Sequence, residues 1–153
     1  MIYKKQNILE VESGIICQQV NCMGVMGAGL ALQLKEKFPQ IFREYIEAYK
    51  DGKLTLGTVV LTIIDAGKPL FVANMCAQYL YGRRGCYTNY SAFEECLRHV
   101  VKFRNFRQAY LDELDTPIYI PYKIGCGLAG GDWSEISKLI EKVIPDAIIC
   151  KWR

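Results

Sequence analysis

The chain contains little that would hold a metal ion. Its 153 residues include one histidine, His99, and its seven cysteines form no C-x-x-C pair. Histidine and closely spaced cysteines are the usual zinc ligands of proteins. We therefore expect no metal site and no cofactor, and we assign His99, in the middle of a predicted helix, a surface or helix-packing role.

Long apolar runs are also absent. The first residues lack the apolar core of a signal peptide, and no run is long enough to cross a membrane. The cysteines are odd in number and most lie in apolar stretches, which is typical of reduced core cysteines. These features predict a cytoplasmic protein without a membrane partner.

No block of charge of one sign occurs. Lys and Arg number 19 and Asp and Glu 16, which gives a net charge of +3 spread along the chain. This excess is too small to argue for nucleic-acid binding. The length and an apolar fraction of 51% suit one domain with a real core, and we expect it to span residues 1–153.

Two common nucleotide-binding signatures are not satisfied. A G-x-G-x-x-G pattern occurs at residues 125–130, but only one predicted strand follows it. Asp146 begins that strand, whereas the ribose-binding acid of a dinucleotide fold ends one. No Gly-Lys-Ser/Thr follows, which excludes a P-loop.

A glycine-rich stretch at residues 18–31 is the most informative part of the chain. An apolar run precedes it and an amphipathic run follows it, which predicts a strand, a loop and a helix. Gly24, Gly27 and Gly29 let the backbone approach a ligand closely, and a helix start favours an anion. Asn21 lies at the predicted strand end, where ligands of open α/β sheets bind. The stretch therefore predicts a phosphate-bearing ligand.

The same succession of strand, glycine-rich loop and helix is predicted a second time. A predicted strand at 118–122 leads into the glycine loop 123–131, and a helix begins near Asp132 and Trp133. Two such loops can close on one ligand with two phosphates.

The remaining patterns predict alternating strands and helices. Further strands are expected at 2–9, 15–20, 58–64, 69–76 and 147–151, the fourth of them central in the sheet. Helices are expected after the first glycine loop, from Pro39 to the turn at Asp51, after Thr88 as N-cap, and after the second glycine loop. Residues 104–116 are expected to be a helix tail and a surface connection. The fold class is α/β, with a mixed sheet between two helical layers.

Several polar residues also allow a purely structural role. Asn21 can hold a turn, and Asp132 suits a helix N-cap better than a catalytic acid. Cys22 and Cys126 have no neighbouring base in the sequence and are better explained as packing residues than as nucleophiles. The polar segment 77–87 contains three tyrosines, Arg83 and Arg84, which can grip a ligand or form a solvated rim.

The paired loops resemble those of the macro domain family of ADP-ribose-binding modules. The resemblance runs from residues 7–9 through 19–31 to 124–128 and covers nearly the whole chain. The Gln-Val-Asn-Cys opening at residues 19–22 is similar to one branch. That branch holds the terminal ADP-ribose protein glycohydrolase, the yeast ADP-ribose 1″-phosphate phosphatase, and small bacterial and phage proteins.

The resemblance implies a three-layer α/β/α fold with ADP-ribose in a cleft at the strand ends. Asn21 would bind the distal ribose, and Asn7 and Ile8 would meet the adenine. The loops would wrap the diphosphate and distal ribose with the backbone of two groups of residues: Gly27, Ala28, Gly29 and Leu30 on one side, and Gly125, Cys126, Gly127 and Leu128 on the other.

The chain departs from the family pattern at residues that bind adenine or take part in catalysis in other members. Asn7 stands where many members have an adenine-binding aspartate, and Ala129 where the glycohydrolase has an aspartate. The segment 77–87 offers no counterpart of the glycohydrolase lysine, so its mechanism is not carried over. The resemblance implies a hydrolase acting on a group at the distal ribose, with Asn21 fixing the ribose and Asp132 as the only acid offered to activate water.

The substrate on this hypothesis is ADP-ribosylated protein, ADP-ribosylated nucleic acid or ADP-ribose 1″-phosphate. The alternative is a reader module that binds ADP-ribose without turnover.

Overall fold

A computed structural model describes residues 1–110 and 116–152, which form one mixed sheet flanked by helices. The strands are β1 (Ile2–Lys4), β2 (Gly14–Asn21), β3 (Val59–Asp65), β4 (Leu70–Gln78), β5 (Ile118–Pro121) and β6 (Ile148–Cys150). The helices are α1 (Gly29–Lys37), α2 (Pro39–Lys50), α3 (Tyr90–Tyr110) and α4 (Trp133–Val143), with a 3-10 turn at Ile8–Glu10.

The sheet has the strand order β1-β6-β5-β2-β4-β3. All neighbouring strands pair in parallel except β3, which runs antiparallel to β4. The expected mixed sheet is confirmed, and β4 is an interior strand between β2 and β3. Because β2, β4 and β5 are parallel, their carboxyl ends meet at one edge, where ligands of α/β sheets bind.

Helices cover both faces of the sheet, which confirms the three-layer architecture. One core lies under α3 and α4 and includes Phe93 and Ile136. The opposite core lies under α1 and α2 and includes Leu34 and Ile41. Strand β4 is buried along nearly its whole length, as expected for a parallel strand covered on both faces.

The N-terminal strand is shorter than predicted. It ends at Lys4 instead of continuing to Leu9. The Asn7 side chain accepts a hydrogen bond from the Leu9 N–H at 3.0 Å and caps the 3-10 turn that follows. This local bond competes with the extended backbone that the apolar residues alone would favour.

The N-cap of α3 is Asn89, not Thr88. Asn89 Oδ1 accepts from the Ala92 N–H at 2.9 Å, whereas Thr88 forms a β-bridge with Gln78. The predicted tail at 104–116 is helical to Tyr110, and residues 111–115 lie outside the described part of the chain.

No helix in the described part of the chain is long and apolar enough to span a membrane. No group of three or more His, Cys, Asp or Glu side chains there is arranged to hold a metal ion.

Candidate functional site: a cleft at the strand ends

Two adjoining cavities open at the carboxyl ends of β2, β4 and β5. The larger, about 390 Å³, contains Asn21 and Arg83 in its walls and is called the Asn21 cavity. The smaller, about 270 Å³, contains Lys123 and Gly125 and is called the Lys123 cavity. They form one continuous cleft because they share the wall residues Gln19, Ala28, Ala31, Gln78, Leu128 and Ala129.

Asn21 is fixed at the end of β2 by its own loop. The pairing of β2 with β4 shifts register between Val20 and Asn21, and the Asn21 side chain is buried. Its Oδ1 accepts from the Met23 N–H at 2.9 Å, and its Nδ2 donates to the Val25 carbonyl at 2.8 Å. An amide nitrogen has two protons, so one remains for a ligand in the cavity that Asn21 lines.

Tyr45 supports Asn21 from the α2 side. Its hydroxyl lies 2.7 Å from the Asn21 backbone carbonyl and 2.9 Å from Asn21 Oδ1, and it accepts from the Gly24 N–H at 3.2 Å. Burial raises the pKa of the Tyr45 phenol well above its ordinary value, so the hydroxyl stays protonated and able to donate. One buried hydroxyl therefore joins the strand end to the glycine loop.

Helix α1 begins at the cleft without a side-chain cap. Its N-cap residue, Ala28, has no hydrogen-bonding side chain, and the first bond of the helix runs from the Leu32 N–H to the Ala28 carbonyl at 3.3 Å. The preceding N–H groups, from Gly27 to Ala31, have no acceptor among the described residues. Free N–H groups and the helix dipole together favour an anion at this place.

The second glycine loop is held in shape by a polar network. Thr88 Oγ1 donates to the Gly125 carbonyl at 2.7 Å and accepts from Gln19 Nε2 at 2.9 Å. Gln19 Nε2 also donates to Gln78 Oε1 at 2.9 Å. Gly125 has a φ of +72°, and a Cβ on it would lie 2.7 Å from Gln19 Oε1, so a larger residue is strained there.

The N–H groups of Gly127 and Leu128 have no acceptor in the described part of the chain. Both residues line the Lys123 cavity, as do Ala28, Gly29 and Leu30 at the start of α1. The cleft is thus lined by two separate segments with free backbone donors, which suits a diphosphate.

The segment 79–87 forms the outer wall of the Asn21 cavity. The Tyr87 and Thr88 N–H groups donate to the Ala129 carbonyl at 2.6 and 3.2 Å and join this wall to the second glycine loop. Tyr81 and Arg83 line the cavity. Arg83 is the one charged side chain among the described residues of that lining, and it has no ion-pair partner in them.

The loop cysteines are poor nucleophiles. Burial raises the pKa of the Cys126 thiol, and its sulfur donates to the Ile124 carbonyl at 3.3 Å. Burial also raises the pKa of Cys22. A thiol reacts as its thiolate, so both environments suit packing residues rather than nucleophiles.

Most residues predicted for the ligand reach the cleft. Cys126 lies within the second loop but does not itself line a cavity. The predicted residues that line the cleft are Asn21, Gly27, Ala28, Gly29, Leu30, Gly125, Gly127 and Leu128.

Besides Cys126, three predicted site residues lie outside the cavity walls. Asn7 caps the 3-10 turn, and Ile8 is buried in the core beneath α1. Asp132 is exposed, and its Oδ1 accepts from the Ser134 N–H at 2.8 Å as the N-cap of α4. Their roles toward a ligand remain predictions.

Sequence reasoning did not predict the polar network of Gln19, Gln78 and Thr88, and it assigned Thr88 the role of an N-cap. The available signal was a pair of glutamines, residues 18 and 19, inside an apolar strand that leads into a glycine loop. Buried polar side chains require partners, so such a pair indicates a network.

Sequence and structure comparisons with known proteins point to the same family. The family model described as Macro domain matches residues 17–140. A structure from Bacteroides thetaiotaomicron, described as a protein of unknown function, is 28% identical with a TM-score of 0.83 and aligns over 99% of this chain and 97% of that chain.

Two further matches carry functional descriptions of their own. The DNA ADP-ribosyl glycohydrolase of Thermus aquaticus is 26% identical over 145 residues, which are 93% of this chain and 37% of that protein. The Thermosipho africanus DarTG structure, in complex with ADP-ribose, has a TM-score of 0.76 at 19% identity, over 99% of this chain and 41% of that chain, a likeness of fold alone. The chain spans 18% to 37% of the length of the curated relatives it matches.

Proposed function

The chain belongs to the macro domain family, and from this membership we propose that it binds ADP-ribose in the cleft and hydrolyses the bond between the distal ribose and an attached group. The observation that carries the proposal is the position of Asn21. Its buried side chain lines the same cavity as Ala28, at the uncapped start of α1, and Arg83, which has no ion-pair partner among the described residues. The ADP-ribose complex of the Thermosipho africanus relative supports the choice of ligand.

The proposed placement of the ligand follows the donors of the cleft. The diphosphate lies between the free N–H groups at the start of α1 and those of Gly127 and Leu128. The distal ribose occupies the Asn21 cavity, where the free Nδ2 proton of Asn21 donates to a ribose hydroxyl. The adenosine extends through the Lys123 cavity, toward Asn7 and Ile8 at the other end.

The proposed reaction is the attack of water on the anomeric carbon of the distal ribose. The bond from that carbon to the attached group breaks, and the group leaves with the electron pair through an oxocarbenium-like transition state. The attacking water forms the new C–O bond and releases its proton to bulk solvent. The Arg83 guanidinium stabilises the negative charge that develops on the departing group. Fixed donors that position the ribose supply the remaining acceleration.

The cavity chemistry favours a group that departs as an anion. A guanidinium donates hydrogen bonds and stays protonated in proteins, so it does not supply a proton to the leaving group. The described lining of the Asn21 cavity contains no carboxylic acid, lysine or histidine that would supply one, and the Tyr81 phenol in that lining is a weak acid. An imide nitrogen of a nucleobase, a carboxylate and a phosphate meet this condition, whereas an alcohol does not.

We propose ADP-ribosylated DNA as the substrate. The support is the activity named for the Thermus aquaticus relative, together with the anionic leaving group that a base nitrogen provides. ADP-ribose 1″-phosphate and ADP-ribosylated carboxylates have the same leaving-group chemistry and serve as comparison substrates.

A reader of ADP-ribose is the second candidate. The same lack of a carboxylate or lysine in the described Asn21 cavity favours it. Turnover separates the two functions, because a reader binds ADP-ribose and releases no product.

Calorimetric titration with ADP-ribose, with AMP as control, tests the ligand. We expect micromolar binding of ADP-ribose and far weaker binding of AMP, because AMP lacks the second phosphate and the distal ribose. Equal affinity for the two would contradict the placement of the diphosphate and distal ribose in the cleft.

Turnover of the three substrates tests the reaction. We expect Asn21→Ala to lose at least about tenfold in kcat while free ADP-ribose still binds, because it removes a donor that positions the ribose. Asn105→Ala changes an exposed asparagine of α3 and is the matched control. A wild type that binds ADP-ribose and hydrolyses none of the three substrates is a reader.

A further inference from the structure

The segment that follows β4 exposes aromatic rings at the mouth of the Asn21 cavity. Tyr79 and Tyr81 are each 56% exposed and Leu80 is 51% exposed. Neither tyrosine ring packs against another aromatic ring in the described part of the chain. Tyr81 lines the cavity itself, so this exposed surface continues directly into the proposed ribose site.

The same segment carries positive charge that is not neutralised. Arg83 and Arg84 are exposed and have no ion-pair partner among the described residues. Residues 22–31, 77–91 and 123–131, which surround the cleft, contain no Asp or Glu. An anionic partner therefore meets no opposing carboxylate from these three segments.

Contacts within the segment fix its conformation in the unbound protein. Its ends are joined by the bridge between Gln78 and Thr88. The Tyr87 hydroxyl donates to the Arg84 carbonyl, and a Cβ on Gly82 would lie 2.2 Å from that hydroxyl. A preorganised surface loses less conformational entropy when it binds a flexible partner.

We propose that Tyr79, Leu80, Tyr81 and Arg84, named here the 79–84 platform, bind the nucleotides that flank the ADP-ribosylated base in a single-stranded nucleic acid. Exposed rings stack on unpaired bases, and arginines pair with phosphates along the strand. An acidic peptide uses the arginines but gives the tyrosine rings no bases to stack on. This inference rests on the proposed binding of ADP-ribose, and it adds the part of the surface that recognises the polymer.

The test compares an oligonucleotide that carries one ADP-ribosylated base with free ADP-ribose. All variants are made in the Asn21→Ala background, where hydrolysis of the oligonucleotide is slowed, and its integrity is checked at the end of each fluorescence anisotropy titration. Tyr79→Ala/Arg84→Ala removes one ring and one cation of the platform, neither of which lines a cavity. Tyr110→Ala/Arg43→Ala removes an exposed residue of each type from α3 and α2 and is the matched control.

We expect the oligonucleotide to bind the parent at least about tenfold more tightly than free ADP-ribose does, and the platform variant to lose this gain. Free ADP-ribose binds all variants equally, because they share the Asn21→Ala change and Tyr79 and Arg84 lie outside the cavity walls. The single variant Arg84→Ala makes the slope of log affinity against log salt less steep by about 0.7, the value for one phosphate contact on a single strand.

Three results overturn the inference. The first is an oligonucleotide that binds no more tightly than free ADP-ribose. The second is a platform variant that binds the oligonucleotide as tightly as the control variant does. The third is a peptide with an ADP-ribosylated glutamate that binds more tightly than the oligonucleotide. If free ADP-ribose itself does not bind the wild type, the proposed function fails and the platform with it, so calorimetry on the wild type distinguishes the two failures.

Discussion

Asp132 is the residue at which a chemical role and a structural role can be separated by experiment. Its carboxylate caps α4 through the Ser134 N–H, and its own N–H donates to the Tyr90 hydroxyl at 3.0 Å. An asparagine of the same shape caps a helix about as well as an aspartate but does not act as a base. The pair of substitutions Asp132→Asn and Asp132→Ala therefore isolates each role.

We expect Asp132→Ala to lower the free energy of unfolding by about 1 kcal/mol and Asp132→Asn to change it little. Denaturant unfolding measures this difference. Because Asp132 lies outside the cavity walls, both variants should keep kcat for the substrate that the wild type hydrolyses. Loss of kcat in Asp132→Asn at unchanged stability would show instead that the carboxylate activates water.

Short polar side chains at helix starts limit what the sequence can establish at this scale. Asn7, Asn89 and Asp132 all accept hydrogen bonds from nearby backbone N–H groups. The same residue types bind ligands, and their sequence spacing is compatible with either use. Thr88 was therefore predicted as a cap, whereas its hydroxyl belongs to the network around Gly125.

At the scale of elements, the two glycine loops are predictable and the network that joins them is not. Glycine spacing between a strand and a helix predicts each loop from local sequence. The bonds from Gln19 to Gln78 and to Thr88 cross 59 and 69 residues of chain. Such contacts depend on strand order, which sequence periodicity does not specify.

Gly125 gives a test of this network. We expect Gly125→Ala to lower the free energy of unfolding by roughly 1 to 3 kcal/mol, because its φ of +72° and the nearby Gln19 Oε1 both oppose a side chain. Gly127→Ala is the matched control, since a Cβ there meets nothing within 4 Å. Thermal unfolding of the two variants measures the difference, and equal midpoints would show that the network tolerates displacement of the loop.

At the scale of the whole molecule, alternation of apolar and amphipathic runs was sufficient to predict the layers. The α/β class, the mixed sheet and the helices on both faces are confirmed by the structure. The position of β1 beside β6 was not predictable, because a three-residue edge strand with exposed side chains leaves almost no apolar pattern. Its partner lies at the other end of the chain.

The reactivity of the cysteine thiols indicates whether the whole fold is intact. All seven are free, and five are buried: Cys17, Cys22, Cys76, Cys96 and Cys150. Burial raises the pKa of both Cys76 and Cys150 to about 11. At pH 8 these thiols carry little thiolate as well as being shielded from reagents.

We expect a thiol reagent at pH 8 to label exposed Cys86 first in the native protein, with the five buried cysteines reacting only as the fold opens. Mass spectrometry of the labelled peptides measures the order, and the protein unfolded in denaturant is the control in which all seven react. Rapid native labelling of Cys17 or Cys96 would contradict the packing described for the core.

The attachment of the segment 79–87 has a consequence for how the protein can diversify. Its ends are held by main-chain atoms: the Asn89 N–H donates to the Ala77 carbonyl at 2.7 Å, and the Ala129 carbonyl accepts from Tyr87 and Thr88. Main-chain anchors do not depend on the side chains between them. Apart from Arg83 in the cavity wall, the segment is thus an exchangeable insert on these anchors, comparable to a hypervariable loop. Grafting other sequences that keep Arg83 offers a route to new polymer specificities beside the proposed ADP-ribose site.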